Sequence, residues 1–261
     1  MLPFTTYLID LDGVIYRGNT LLPGAKAFIN WLDEHHKKYL FLTNNSFASE
    51  EEILDKLKNL GIFTDAQHML SAGEAAVQNI ARRFPGASVY LVGEQPMLNL
   101  LHAYSLNVAP LDAPGADVVL VGLDRQFDYE KLKGAVRAVR GGAAFIAINR
   151  DPLLPVVGDL IPGCGAMVAA IEASSDRSPE VVGKPQPMLL QEAMRILHSQ
   201  PEETVMIGDS LDVDIAGGIA AGTRTLLVLS GRSSRADLRT TPFKPDYVYP
   251  DIAAVVAELE K

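Results

Sequence analysis

The sequence predicts an α/β fold with a largely parallel sheet, and three observations carry that expectation. Short apolar runs alternate with longer amphipathic stretches along the chain. Several of those stretches carry helix signals: Ser49 with Glu52 and Ser71 with Glu74 fit a capping box, and Gly61 and Gly222 stand where helices should stop. The composition is that of a globular chain, with 48% of 261 residues hydrophobic, a length suited to one large domain or two unequal ones.

Taken in order, the apolar runs place strands at 7–10, 39–43, 88–92, 117–121, 144–148, 204–207, 225–229 and 247–248. Helices are expected near 25–35, 49–60, 73–83, 95–103, 129–140, 164–174, 187–198, 212–221 and 251–260. Trp31 and Leu32 read as core residues of the first helix. Positions 110–116 and 174–180 read as loops. No long linker divides the chain, so a domain boundary has to come from where the chemistry falls.

Charge and cysteine content exclude several classes. Twenty-three Lys and Arg against 32 Asp and Glu leave a net charge of −9, which disfavours a nucleic-acid polymer as partner. A single cysteine, Cys164, excludes an internal disulfide framework and an all-cysteine metal site. The N-terminal stretch reaches Asp10 and Asp12 too soon for a secretory signal. No apolar run approaches the roughly 18–20 residues of a membrane span, so a cytoplasmic chain without a membrane partner is expected.

Four clusters stand directly after expected strands. Asp10 and Asp12 are two residues apart on an extended segment, so both can face one small volume, and Gly13 permits a turn behind them. Ligands of a parallel sheet bind at such strand ends. Two acids brought together need a cation or a shared proton, although an Asp-Gly turn alone would explain the pair equally well. Thr43-Asn44-Asn45 offers a hydroxyl and backbone N–H groups as an anion cradle, or simply caps the next helix. Lys184, between Gly183 and Pro185, can present a fixed positive charge, although a lysine is by default a solvated one. Gly208-Asp209 with Asp214 adds further acids, whereas Asp212 reads only as a helix-terminal charge. Weak singly, the four together supply oxygen ligands of the kind that suits Mg²⁺.

The order and content of these clusters resemble the haloacid dehalogenase (HAD) superfamily of aspartate-nucleophile phosphotransferases, whose four motifs would here be Asp10/Asp12, Thr43, Lys184 and Asp209/Asp214. Thirty-three residues separate Asp10 from Thr43, too few for an inserted domain, whereas 141 separate Thr43 from Lys184. The phrases Asp-Leu-Asp-Gly-Val-Ile-Tyr-Arg-Gly, Leu-Thr-Asn-Asn-Ser, Val-Gly-Leu-Asp-Arg and Val-Val-Gly-Lys-Pro look like the type IIA, NagD/4-nitrophenylphosphatase subfamily. The resemblance implies a Rossmann-like HAD core over 1–78 and 180–261. It also implies a smaller α/β cap domain over 79–179, inserted between the second and third motifs. Val213 departs from the threonine usual at that place in the family.

It further implies a phosphatase of small phosphorylated metabolites that works through an aspartyl phosphate. Asp10 would be the nucleophile and Asp12 the acid and then the base. Thr43, the Asn44 N–H and Lys184 would bind phosphate oxygens. Mg²⁺ would sit on the Asp10 carboxylate, the Asp12 carbonyl and Asp209, with Asp214 behind them. Because a halide leaves unprotonated, an acid at Asp12 favours phosphatase over dehalogenase chemistry. Asp124, Arg125, Asn149 and Arg150, on cap loops, are candidates for selecting the substrate, and a homodimer through the cap is compatible with the resemblance. Phosphotransferase or phosphomutase chemistry, or a non-catalytic phosphometabolite sensor, are the alternatives. Asp10, Asp12, Lys184 and Asp209 together argue against the sensor, since a retired site has no chemical need to retain all four.

Other readings fail. Gly163-Cys164-Gly165 begins like a dinucleotide fingerprint, but Val168 stands in the third glycine's place. No spacing around His35 and His36 suggests zinc. Cys164 is read as a small buried hydrophobe, with a reactive thiol as the alternative.

Overall fold

The computed structural model describes residues 3–44, 49–156 and 159–261, without the side chains of residues 155 and 156. Asn45, the last residue of the Thr43-Asn44-Asn45 cluster, therefore lies outside the described residues. The described chain divides into two compact units. The first holds residues 3–43, Glu50–Leu70 and Lys184–Lys261; the second holds Asn44, Ser49 and Ser71–Gly183. These limits differ from the expected 78/79 and 179/180. The helix Ala72–Arg83 falls whole in the second unit, because a helix packs as one body and is not divided at residue 78.

A six-stranded sheet organises the first unit, in the order Tyr247–Tyr249, Arg224–Val228, Thr204–Gly208, Thr6–Asp10, Lys38–Thr43 and Met69–Ser71. The pairings from Tyr247–Tyr249 across to Lys38–Thr43 are parallel. Its central strands are near-continuous apolar runs because helices cover both faces of such sheets. Leu8, Ile9, Phe41, Leu42, Val205, Met206 and Ile207 are all fully buried, each contributing about 1.5–3 kcal/mol by leaving water. Polar residues begin where those runs end. Ile9 is fully buried and Asp10, next in the chain, is only part-buried.

The register aligns these ends. Asp10 lies opposite Leu42, one residue before Thr43, and Ile9 opposite Ile207, two residues before Asp209. Leu32 is buried as expected, but Trp31 is only half-buried, stacked on His35 with ring centroids 4.3 Å apart.

The second unit carries a five-stranded parallel sheet, in the order Glu180–Val181, Ala144–Ala147, Val118–Val121, Ser88–Val92 and Asn107–Val108. Its core gathers Tyr90, Val92, Val119, Val121, Phe145 and Ile171. Two short antiparallel hairpins were not predicted: Tyr16–Arg17 with Thr20–Leu21, and Leu153–Val156 with Asp159–Pro162. The second leaves Leu153 and Leu160 exposed, so no buried face imposed an alternating pattern on it. The Ser71 hydroxyl accepts the Glu74 N–H at 3.0 Å, one half of the expected capping box. The Glu74 carboxylate instead accepts from Gln78 and Tyr104.

Candidate active site

Where 212–221 was expected as one helix, a π-helical turn at Leu211–Ile215 precedes the α-helix Ala216–Ala221. The Ile215 N–H donates to the Ser210 carbonyl at 3.1 Å, and the wider turn carries Asp214 back toward the strand end. There the Asp214 carboxylate accepts the Ser210 N–H at 3.0 Å. Gly208 makes room for it, since a Cβ at that position would lie 2.1 Å from the Asp214 Cβ.

Lys184 ties this turn to the first strand. Its ammonium donates to Asp10 at 2.6 Å and to Asp214 at 2.8 Å. The Lys184 side chain is 2% exposed, far from the solvated surface lysine that is the default. Burial works against its charge, but the two carboxylates outweigh burial and its pKa is raised. Carboxylate oxygens of Asp10, Asp209 and Asp214 all lie within 4.8 Å of one another. Burial, with repulsion from Asp214 and Asp209 and against the pull of Lys184, pushes the Asp10 pKa up to about 7. Burial and Asp214 likewise push Asp209 up to about 6. Three carboxylates against one ammonium leave excess negative charge among oxygen donors alone, a set that fits a hard divalent cation such as Mg²⁺.

The loop after Arg224–Val228 completes the surroundings of Asp209 and was missed in the sequence. The Arg232 N–H donates to the Asp209 carboxylate at 2.6 Å, and the Ser233 N–H to its carbonyl at 3.0 Å. A Cβ on Gly231 would stand 1.8 Å from Asp209 Oδ2, and one on Gly13 would stand 2.2 Å from it. These contributions are main-chain donors and missing side chains, so residue types gave little signal; Gly231 itself was the available hint.

Asp12 lies outside the carboxylate cluster, exposed on the turn after the first strand, where Gly13 N–H donates to the Tyr16 carbonyl at 2.7 Å. Partial enclosure raises its carboxyl pKa, with Lys56 and Arg17 pulling the other way. Thr43 ends its strand beside Asp10. Asp212 is exposed, as its helix-terminal reading requires.

The remaining predicted residues lie in the second unit, each held by neighbours there. The Asn44 carbonyl accepts from the Asn149 side chain at 3.0 Å. Asn149 also accepts the Asp151 N–H at 3.1 Å. Buried Asp124 pairs with Lys131 at 2.6 Å, Arg125 grips Glu94 through two bonds of 2.7 Å, and Arg150 pairs with Glu172. Asp124 and Arg125 also border a cavity of about 400 Å³ walled by Phe127, Ile161, Pro162 and Met167. Cys164 is buried, and desolvation pushes its thiol up to about 11, so the reactive-thiol alternative fails.

An acid-and-lysine cluster at the carboxyl ends of a parallel sheet, where such folds bind their ligands, is an arrangement suited to a hydrolase. Comparison with known proteins agrees. Residues 7–107 match the family model of haloacid dehalogenase-like hydrolases, and 181–255 match a HAD-hydrolase-like model. An acid sugar phosphatase of Staphylococcus saprophyticus is 36% identical over 258 residues, 99% of each chain. The p-nitrophenyl phosphatase of Archaeoglobus fulgidus superposes with a TM-score of 0.91 at 33% identity, over 98% of this chain and 99% of that one. NagD of E. coli K-12 gives 0.89 at 32% identity, over 96% and 97%. The chain belongs to the haloacid dehalogenase-like hydrolases, in their type IIA, NagD-like branch, and is a phosphatase of that family. Among the described residues no helix is long and apolar enough to cross a membrane.

Proposed function

We propose that this chain is a Mg²⁺-dependent phosphatase of small phosphorylated metabolites, sugar phosphates first among them, acting through an aspartyl phosphate on Asp10. The observation that carries this reading is Lys184, buried and bonded to both Asp10 and Asp214, with Asp209 in the same cluster. The sugar-phosphate preference follows the acid sugar phosphatases, which match this chain end to end.

In the first step an Asp10 oxygen attacks phosphorus and the bond to the leaving oxygen breaks. Asp12, whose raised pKa favours its protonated form, gives that oxygen its proton. In the second step water attacks the phosphoryl group, Asp12 takes a proton from it, and the Asp10 carboxylate returns. Lys184 keeps a positive charge beside the reacting carboxylate throughout, while Thr43 and Asn44 offer donors to the phosphoryl oxygens. Asp10, the Asp12 carbonyl and Asp209 would hold Mg²⁺, which supplies charge against the phosphate dianion. The second unit takes the substrate-selecting role, with Asp124 and Arg125 at its cavity.

The test is phosphate release from a panel of sugar phosphates, nucleotides, phosphoglycolate and 4-nitrophenyl phosphate, with Mg²⁺ and with EDTA. Release that needs the metal and is concentrated on sugar phosphates is expected. Release undiminished by EDTA removes the metal from the proposal, and a different preferred substrate removes the sugar-phosphate assignment.

A further inference from the structure

The turn that follows Asp12 is latched to the loop that holds Asp209. Arg17, on the hairpin Tyr16–Arg17/Thr20–Leu21, reaches across more than 200 residues of sequence to donate through Nη2 to the carbonyl of Ser230, and to that of Gly231 at 3.3 Å. In return the Ser230 hydroxyl donates to the Gly13 carbonyl at 2.7 Å. The peptides so gripped adjoin the Asp209 carboxylate. Gly231 packs flat against Oδ2, and the next N–H, that of Arg232, donates to the same oxygen at 2.6 Å. An oxygen held between two glycine backbones and one N–H moves if either backbone moves.

The geometry points to Arg17 as a positioning residue for Asp209: its guanidinium holds the 230–232 backbone in the place that aims the Asp209 carboxylate at the metal position. This rests on the reading of Asp209 as a Mg²⁺ ligand. Arg17 is exposed and acts on the Asp12 carboxyl through its charge, and its removal leaves every proposed ligand in the chain. The chemistry is directional: the planar Nη2 donates to two adjacent carbonyls in a fixed geometry, which a lysine reproduces only in part.

The experiment titrates Mn²⁺ into the whole metal-free protein and reads bound metal from the loss of the free-Mn²⁺ electron paramagnetic resonance signal. The wild type is compared with Arg17→Ala, Arg17→Lys and Arg224→Ala. Arg224 is also exposed but pairs with Asp246, so it controls for loss of a surface charge. Partners of metal ligands are worth about 10–100-fold in metal affinity. Arg17→Ala, which acts through backbone, is expected to weaken Mn²⁺ binding by about tenfold, near the low end of that range. Arg17→Lys should recover part of the loss, and Arg224→Ala should bind as the wild type does. Unchanged Mn²⁺ affinity in Arg17→Ala overturns the inference alone, even if its metal-free melting temperature falls. No Mn²⁺ uptake by the wild type overturns the metal reading and the inference with it.

Discussion

The Lys184 ammonium donates to the Asp214 carboxylate at 2.8 Å, and both side chains are 2% exposed. A pair so enclosed gains little over an apolar pair, but breaking it strands a buried charge at a cost of about 3–5 kcal/mol. Lys184 keeps Asp10 as a second partner, which softens the loss. Asp214→Ala should therefore lower unfolding free energy by about 3 kcal/mol, the low end of that range. Asp214→Asn, which can still accept from Lys184 and Ser210, should lose less. Urea unfolding of both variants decides it, and equal losses would mean that charge matters more than the hydrogen bonds.

Asp10 and Asp209 make stability fall with pH when no metal is bound. Their folded pKa values, about 7 and about 6, stand above the ordinary 3.8. The folded state then holds protons that the unfolded chain has released, so their stabilising contribution is full below about pH 3.8 and lost as pH rises through 6 and 7. Lys184, raised by its carboxylate partners, stays charged across this window and adds no slope. In EDTA the melting temperature should drop between about pH 4 and 7 and level off above that, and Mg²⁺ should raise it more at about pH 8 than at about pH 5. A flat or rising EDTA profile would contradict the carboxylate environment described above.

Much of this site was legible because strands and carboxylates announce themselves by type. The strand Ser88–Val92 and the helices Gln95–Ala103 and Tyr129–Arg140 have the bounds expected of them. Asp10 and Asp209 could be placed at strand ends because apolar runs stop abruptly before them. Three kinds of feature left too little pattern to read. Glu180–Val181 and Asn107–Val108 are strands of two residues, too short for any period. The π turn at Leu211–Ile215 differs from an α-helix by one residue per hydrogen bond, which periodicity cannot resolve over five residues. The loop 230–233 acts through peptide groups, and a peptide N–H looks the same in every residue but proline.

Asp12 and Asp10 should separate by leaving group. A proton donor matters when the departing oxygen is a poor leaving group, and little when it is the phenolate of 4-nitrophenyl phosphate. Asp12→Asn should lower kcat on alkyl phosphates by about 10²-fold or more, within the range of general-acid catalysis, and much less on 4-nitrophenyl phosphate. Asp10→Asn should abolish turnover on both. Matched losses for Asp12→Asn on the two substrate types would remove the acid role from Asp12.

Gly231 can be tested apart from backbone strain. Gly13 combines a φ of +80° with a crowded position, so any substitution there mixes strain with collision. Gly231 has no such φ, and the added Cβ would meet Asp209 Oδ2 at 1.8 Å, so its carboxylate must move. Gly61 gives the converse, with a φ of +88° and nothing within 4 Å of an added Cβ. Gly61→Ala should cost about 1–2 kcal/mol of stability, the left-handed penalty, with kcat and metal affinity unchanged. Gly231→Ala should cost stability too, since the new Cβ would also stand 2.5 Å from the Asp209 Cβ, and it should weaken metal binding and lower kcat, because the displaced side chain is one proposed to hold the metal. The discriminating measurement is kcat against Mg²⁺ concentration for both variants. If Gly231→Ala shows the wild-type curve, the crowding around Asp209 holds the fold and has no part in its chemistry.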